Sequence, residues 1–300
     1  MSQNRRDFLK SFAALGASAA TLNAVTPQIV KGSSPNKLSP TRKGVLVDTT
    51  VCIGCGKCEW ACKTAHNMEA GDIENYSAQL TDGSQRRPSE SALTVVNQID
   101  VNNADSHKVK LQCMHCDHPA CVSACIVGAI SKHENGAVTW DTDKCIGCRY
   151  CMIACPFQIP SFEYLKALDP KIVKCDFCID RTKVGKLPAC VETCPVGALT
   201  YGSRDELIIE AKRRIDKYPG KYFNHVFGEY EVGGTSWIYL AENDLVKTVF
   251  PKLGTNPAPG VSESIQHGLF AYFVPPVALY ALLGGVMWLS KDRDKSKGGH

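Results

Sequence analysis

Asp141-Thr142-Asp143-Lys144-Cys145-Ile146-Gly147-Cys148 is close to a copy of Asp48-Thr49-Thr50-Val51-Cys52-Ile53-Gly54-Cys55. Each copy opens a run of the form C-x2-C-x2-C-x3-C, with Cys52, Cys55, Cys58 and Cys62 in the first and Cys145, Cys148, Cys151 and Cys155 in the second. Runs with this spacing hold cubane iron–sulfur clusters. Three thiolates at three-residue steps let one loop wrap three corners of a cube, and the fourth cysteine is directed at a neighbouring cluster. Two looser groups, Cys113, Cys116, Cys121 and Cys125, then Cys175, Cys178, Cys190 and Cys194, complete the sixteen cysteines of the 300-residue chain. Four groups imply four [4Fe-4S] clusters with these sixteen residues as metal ligands, and four clusters in one chain imply a path for electrons.

Two other uses of cysteine fit less well. An even count in an exported chain can be a disulfide framework. Structural zinc also takes C-x2-C pairs, but it wants two pairs per tetrahedral site, not a triplet followed by a lone fourth cysteine. Pro156 after Cys155 and Pro195 after Cys194 supply the trailing proline of the bacterial ferredoxin run.

A second repeat fixes the fold class. Val127-Gly128-Ala129-Ile130 recurs as Val196-Gly197-Ala198-Leu199, each just after the fourth cysteine of its group. Each unit predicts a short strand entering a cluster loop, a helix, and a strand leaving it. Asn135-Gly136, between Ile130 and the run Ala137-Val138-Thr139-Trp140, marks a hairpin. Gly54 and Gly147 let the backbone pass close to sulfide. The expected fold is α+β, a doubled (nested) bacterial dicluster ferredoxin-like fold with a C-terminal single transmembrane helix.

The nesting predicts which thiols meet. Groups two and three form one two-cluster ferredoxin, and groups one and four close around it. With fourth ligands exchanged, Cys52, Cys55 and Cys58 join Cys194, while Cys175, Cys178 and Cys190 join Cys62. Cys113, Cys116 and Cys121 join Cys155, and Cys145, Cys148 and Cys151 join Cys125. His115 and His118 flank Cys116 and are expected beside a cluster rather than on it. Lys57, Lys63, Lys144, Arg149 and Lys174 stand among the ligands, most of them expected as solvated surface. The formal charge of +4 becomes about −4 once four clusters of about −2 each are counted. That mild basic excess offsets cluster charge and does not indicate nucleic acid.

Outside the cysteine groups, Leu93-Thr94-Val95-Val96 and Val109-Lys110-Leu111 predict strands, as does Trp237-Ile238-Tyr239-Leu240. From Arg204 to Tyr218 the chain predicts an amphipathic helix with Leu207, Ile208, Ala211 and Ile215 on its packing face.

The two ends set an expected compartment. Arg5-Arg6 before Asp7-Phe8-Leu9-Lys10 and an uncharged Ala-rich stretch read as a twin-arginine (Tat) export signal over 1–30. Clusters are assembled in the cytoplasm, so a loaded chain needs a route for folded cargo. Leu269 to Leu289 runs 21 residues without a charge, enough to cross a hydrocarbon core of roughly 30 Å. Basic residues after it place the C-terminus in the cytoplasm. The expected organisation is 1–30 signal region, 31–220 four-cluster domain, 221–264 extension and linker, 265–290 transmembrane helix and 291–300 cytoplasmic tail. The cluster domain then lies on the periplasmic side of the cytoplasmic membrane.

Several stretches carry a closer likeness: Gln112-Cys113-Met114-His115-Cys116, Cys148-Arg149-Tyr150-Cys151-Met152, Gly233-Gly234-Thr235 before a strand, and Ser264-Ile265-Gln266-His267 before the span. With the leader and the single C-terminal helix, they resemble the HybA-type ferredoxin-like subunits of periplasm-facing membrane-bound [NiFe] hydrogenase 2. These belong to the broader four-cluster iron–sulfur subunits of molybdopterin oxidoreductases and hydrogenases. The resemblance spans nearly the whole chain. It implies a subunit with no catalysis of its own. Such a subunit relays electrons between a periplasmic catalytic subunit and a polytopic NrfD-type quinone-reactive membrane subunit. The equivalent subunit of a formate dehydrogenase or other molybdopterin oxidoreductase is the alternative, and a disulfide-stapled envelope binding protein is a third possibility from another class. No nucleophile–base pairing and no nucleotide loop stand in the sequence.

Overall fold

The computed structural model describes residues 39–78, 85–101, 105–260 and 276–287. The chain divides into two units, Leu38–Gly260 and a second made of Met1–Lys37 with Val261–His300. Of the second, the described residues 276–287 are helical. The expected signal region, most of the 265–290 span and the 291–300 tail lie outside the described residues. Among the described residues no helix is long and apolar enough to cross a membrane.

Within Leu38–Gly260 the order is β1 (Lys43–Asp48), α1 (Lys57–Ala65), α2 (Asn75–Ala78), β2 (Val95–Val101), β3 (Asp105–Leu111), α3 (Ala120–Ser123), β4 (Ile130–Lys132) and β5 (Val138–Trp140). Then follow α4 (Tyr150–Ala154), β6 (Ser161–Phe162), β7 (Ile172–Val173), α5 (Ile179–Lys183), α6 (Ala189–Glu192), β8 (Leu199–Ser203), α7 (Arg204–Lys217) and β9 (Trp237–Leu240). The nesting is visible in the pairing. β1 runs antiparallel to β8, with Val47 opposite Leu199, while α1 packs on α6. Inside that shell β4 runs antiparallel to β5, with Ile130 opposite Trp140, and α3 packs on α4. The inner hairpin turns at Gly136, whose φ of 91° places it where a side chain is strained, and an added Cβ would meet the Lys43 carbonyl oxygen at 2.8 Å.

β1 is the middle strand of β8-β1-β9 and is buried on both faces, which explains its unbroken Val45-Leu46-Val47 run. Side chains alternate across a strand, so the two faces enter different cores. Val45, Val47, Trp237 and Tyr239 pack with Val95, Val109 and Leu111 of the β2–β3 hairpin. Leu46, Ile238 and Leu240 pack under Leu207, Ile208 and Ala211 of α7, with Ile215 at the edge. The amphipathic stripe of α7 is therefore core packing, as its spacing predicted. β9 pairs parallel to β1, so Trp237–Leu240, in the stretch expected as extension and linker, is a buried strand of the same compact unit.

One ion pair, with a buried carboxylate and a partly exposed guanidinium, ties α1 to the hairpin. The Glu59 carboxylate accepts from the Val96 backbone N–H at 2.5 Å and from both terminal nitrogens of Arg86 at 2.7 and 3.1 Å. Glu59→Ala leaves the buried Val96 N–H without this acceptor and the partly exposed Arg86 without this carboxylate, at a cost of about 2 kcal/mol. Denaturant titration of the iron-loaded variant checks this; a midpoint equal to that of the parent chain refutes it.

Candidate functional site

All sixteen thiols are free, and the folded chain gathers them in fours. Cys52, Cys55 and Cys58 line one cavity with Cys194. Cys145, Cys148 and Cys151 line another with Cys125. Cys116 lies among Cys113, Cys121 and Cys155. Cys62 stands beside Cys175, Cys178 and Cys190. In each quartet the fourth thiol comes from a different sequence group, which is the crossed grouping expected from the nesting.

The quartets also have an order. Cys58 of the first is close to Cys190, Cys175 to Cys113, and Cys121 to Cys151. The row therefore runs from the Cys52/Cys55/Cys58/Cys194 quartet through Cys62/Cys175/Cys178/Cys190 and Cys113/Cys116/Cys121/Cys155 to Cys125/Cys145/Cys148/Cys151. Cys148, in the last quartet, is the only cysteine with an exposed side chain. Ile146, Tyr150 and Ile153 around it are exposed as well.

Local backbone makes this gathering possible. The residue just before the second cysteine of every group has a positive φ: Gly54 73°, His115 50°, Gly147 68° and Phe177 65°. That conformation turns successive thiols toward one centre. Glycine adopts it freely, whereas histidine and phenylalanine are strained there.

Burial and mutual repulsion set the electrostatics. Burial pushes the Cys116 and Cys175 thiols far up, Cys121 and Cys178 to about 12 and Cys151 to about 11, and neighbouring thiolates add to each rise. Four crowded thiolates in a dry site call for a cationic centre between them. This donor set of sulfur alone, four thiols to a cavity, fits iron–sulfur clusters.

Buried cations stand between the quartets. Lys110 is buried, lines the first cavity and donates to Thr94 Oγ1 and to Gln112 Oε1 at 3.0 Å. Its ammonium sits 4.7 Å from the Trp237 ring centroid, and it is the strongest influence favouring the Cys58 thiolate against burial. Lys174 is buried too, donating to the Val138 carbonyl and to the Cys175 carbonyl at 3.0 Å. The expectation of solvated surface is thus wrong for Lys174, whereas it holds for Lys144, which is exposed and paired with Asp141. Lys110 was missed by sequence reasoning because one lysine in an alternating strand looks like a solvent-facing position.

His66 donates from Nε2 to Asp176 at 2.9 Å, and its Nδ1 lies 2.8 Å from the Cys62 carbonyl oxygen. Burial opposes its charge, but Asp176 and Cys62 outweigh that and raise it to about 11. His66, Asp176 and Cys178 have ligand atoms within 4.8 Å of one another. Because Cys178 belongs to a thiol quartet, this trio is the flank of that quartet and not a separate metal site.

Thiol quartets in a doubled dicluster fold define an iron–sulfur protein of the ferredoxin class. Residues 106–204 match the family described as a 4Fe-4S dicluster domain, and residues 52–65 match a 4Fe-4S binding domain. The chain is 32% identical to the hydrogenase-2 operon protein HybA of Escherichia coli O157:H7, over 99% of this chain and 98% of that protein. It is also 32% identical to the nitrate-inducible formate dehydrogenase iron–sulfur subunit of Escherichia coli K12, over 81% of this chain and 85% of that one. A protein of Nitratidesulfovibrio vulgaris is 43% identical over 85% of this chain and 69% of its own length. The chain belongs to the family of iron–sulfur electron-transfer subunits that includes HybA and the formate dehydrogenase iron–sulfur subunits. Members of that family carry electrons within oxidoreductase complexes and leave the catalysis to other subunits.

Proposed function

We propose that the chain holds four [4Fe-4S] clusters, one per thiol quartet, and relays electrons between a periplasmic catalytic subunit of the [NiFe] hydrogenase type and a quinone-reactive NrfD-type membrane subunit. The observation that carries this reading is the row of four quartets ending at an exposed cysteine. Each cluster, when bound, takes up and releases one electron at a time. The chain's own work is to hold the thiols at fixed spacing, keep water from the inner quartets, and set each potential by burial, hydrogen bonds to sulfur and nearby charge. Export by the twin-arginine route and anchoring through 265–290 complete the proposal, with the cluster unit outside the cytoplasmic membrane.

The hydrogenase partner is favoured by the near-complete overlap with HybA. Equal identity to a formate dehydrogenase subunit supports the second reading, a molybdopterin enzyme as partner. Mild-detergent purification of the intact complex, followed by metal analysis and identification of attached subunits, separates them. Nickel with about sixteen iron atoms per copy of this chain, beyond those of the partner, is the expected result. Molybdenum in place of nickel establishes the alternative, and a colourless chain without iron overturns both.

A further inference from the structure

His115 occupies a position that its surroundings make costly. The ring is fully buried, at 0% exposure, and φ at this residue is 50°. The equivalent residues in the C-x2-C loops of groups one and three are Gly54 and Gly147. A non-glycine side chain kept in the left-handed region persists only where its surroundings over-determine it, and such residues cluster at functional sites. At the same loop position in group four stands Phe177, also at positive φ, and the two rings touch, with centroids 4.9 Å apart. Both strained side chains therefore meet where the second and third quartets of the row adjoin.

The ring nitrogens define the proton. The Val138 backbone N–H donates to His115 Nδ1 at 2.8 Å, so Nδ1 is the acceptor and carries no hydrogen. A neutral imidazole then holds its proton on Nε2. Nε2 lies 3.5 Å from Cys175 Sγ, so the N–H points at a sulfur of the second quartet in the row. His115 itself is joined through the main chain to Cys116 of the third. Its loop is clamped from outside: Lys132 Nζ donates to the carbonyls of His115, Cys116 and Gly136 at 3.2, 2.9 and 2.9 Å. The Ser236 N–H also reaches the His115 carbonyl at 3.2 Å. The imidazole is fully buried, with the Phe177 ring 4.9 Å from it.

We propose that His115 is a tuning and bridging residue: its Nε2–H hydrogen-bonds Cys175 Sγ, raises the reduction potential of the cluster held by Cys62, Cys175, Cys178 and Cys190, and links that quartet to the next by one hydrogen bond and a short stretch of main chain. The inference rests on the reading that the quartets hold clusters. The physical cause is simple. A hydrogen bond to a ligand sulfur draws negative charge away from the site and favours the reduced state, which carries one more negative charge.

The test uses the full chain, loaded anaerobically, with three measurements. Iron and sulfide are counted first: a parent chain lacking about sixteen iron atoms ends the cluster reading itself, and this proposal with it. Redox titration followed by electron paramagnetic resonance then compares the parent with His115→Leu and His115→Gln. With iron retained, His115→Leu is expected to shift one of the four redox equilibria about tenfold toward the oxidised form, which is about 59 mV for one electron. His115→Gln, which keeps an N–H donor, restores part of the shift. Four unmoved midpoints in an iron-complete His115→Leu chain overturn the proposal and leave the cluster reading intact. The third measurement does not depend on His115→Leu. In the parent chain labelled with 15N-histidine and carrying His66→Gln, which removes the second imidazole beside this quartet at Cys62 Sγ, one reduced cluster is expected to show hyperfine coupling to an imidazole nitrogen that disappears when His115→Gln is added. Absence of that coupling while His115 is in place also overturns the proposal, and it decides the matter if His115→Leu fails to load iron.

Discussion

Changing Cys58 and Cys194 to serine together is expected to remove no more iron than changing either alone. The two residues line one cavity although the chain between them contains most of the fold, so both variants empty the same quartet. Each single variant and the double variant are expected to lose about four of about sixteen iron atoms. Cys58→Ser with Cys62→Ser gives the opposite result. These two thiols share α1, one turn apart, yet Cys58 faces Cys52 and Cys194 while Cys62 faces Cys175 and Cys190. That pair of changes is expected to lose about eight iron atoms. Iron and sulfide assay with spin counting reads the difference directly. If neighbours in sequence lose four and the distant pair loses eight, thiols are grouped by sequence run and the crossed arrangement is refuted.

The second large effect is on folding. Cys113, Cys175 and Cys190 are part of the main hydrophobic core; two quartets join segments far apart along the chain, Cys58 to Cys194 and Cys62 to Cys175, while the other two close the shorter loops Cys121 to Cys155 and Cys125 to Cys145. By the chain-entropy estimate used for cross-links, closing a loop on the order of a hundred residues contributes about 4–5 kcal/mol. A whole domain is stable by only about 5–15 kcal/mol. Two such closures, with two shorter ones at about 3 kcal/mol each, are comparable to that whole stability. Anaerobic removal of iron by a chelator is therefore expected to abolish the cooperative unfolding transition. Part of the far-ultraviolet circular dichroism signal is expected to survive, from the β1–β8–β9 sheet and α7, whose core contains no cysteine on the helix side. An iron-free chain that still unfolds in a single sharp step at the original midpoint contradicts this account.

Local signals gave much of the architecture away. The two glycine-containing C-x2-C runs and the repeated Val-Gly-Ala segments announced the doubling, because each sets a backbone conformation within a few residues. The stripe on Arg204–Lys217 and the turn at Asn135-Gly136 were equally local, and both appear where the spacing placed them. The strands were less well bounded. β2 and β3 reach Val101 and Asp105, well past the apolar runs that marked them, because a paired hairpin supplies hydrogen bonds to polar residues too. Trp237 to Leu240 read as a strand, but its place beside β1 left no mark, since parallel pairing joins residues almost the whole unit apart.

The candidate site divides in the same way. Which thiols gather is written in cysteine spacing, since three thiols on one loop must point into one small volume. What surrounds them is not. Lys110 reads as an ordinary polar position in a strand, yet the hairpin carries it between two quartets. His115 reads as a neighbour of Cys116, yet its ring reaches Cys175 of another group. One clue was available in the glycine-to-histidine and glycine-to-phenylalanine changes before Cys116 and Cys178, because only a compensating contact keeps such side chains at positive φ.

By itself, then, the sequence determined the chemistry of this protein and its doubled plan, because metal-ligand spacing and turn residues act over a few bonds. Only the tertiary structure decided the order of the quartets, the buried cations between them and the donor aimed at the Cys175 sulfur. Those depend on through-space approach between segments far apart in the chain, and burial in a low-dielectric core makes each of them count for more than it would in water.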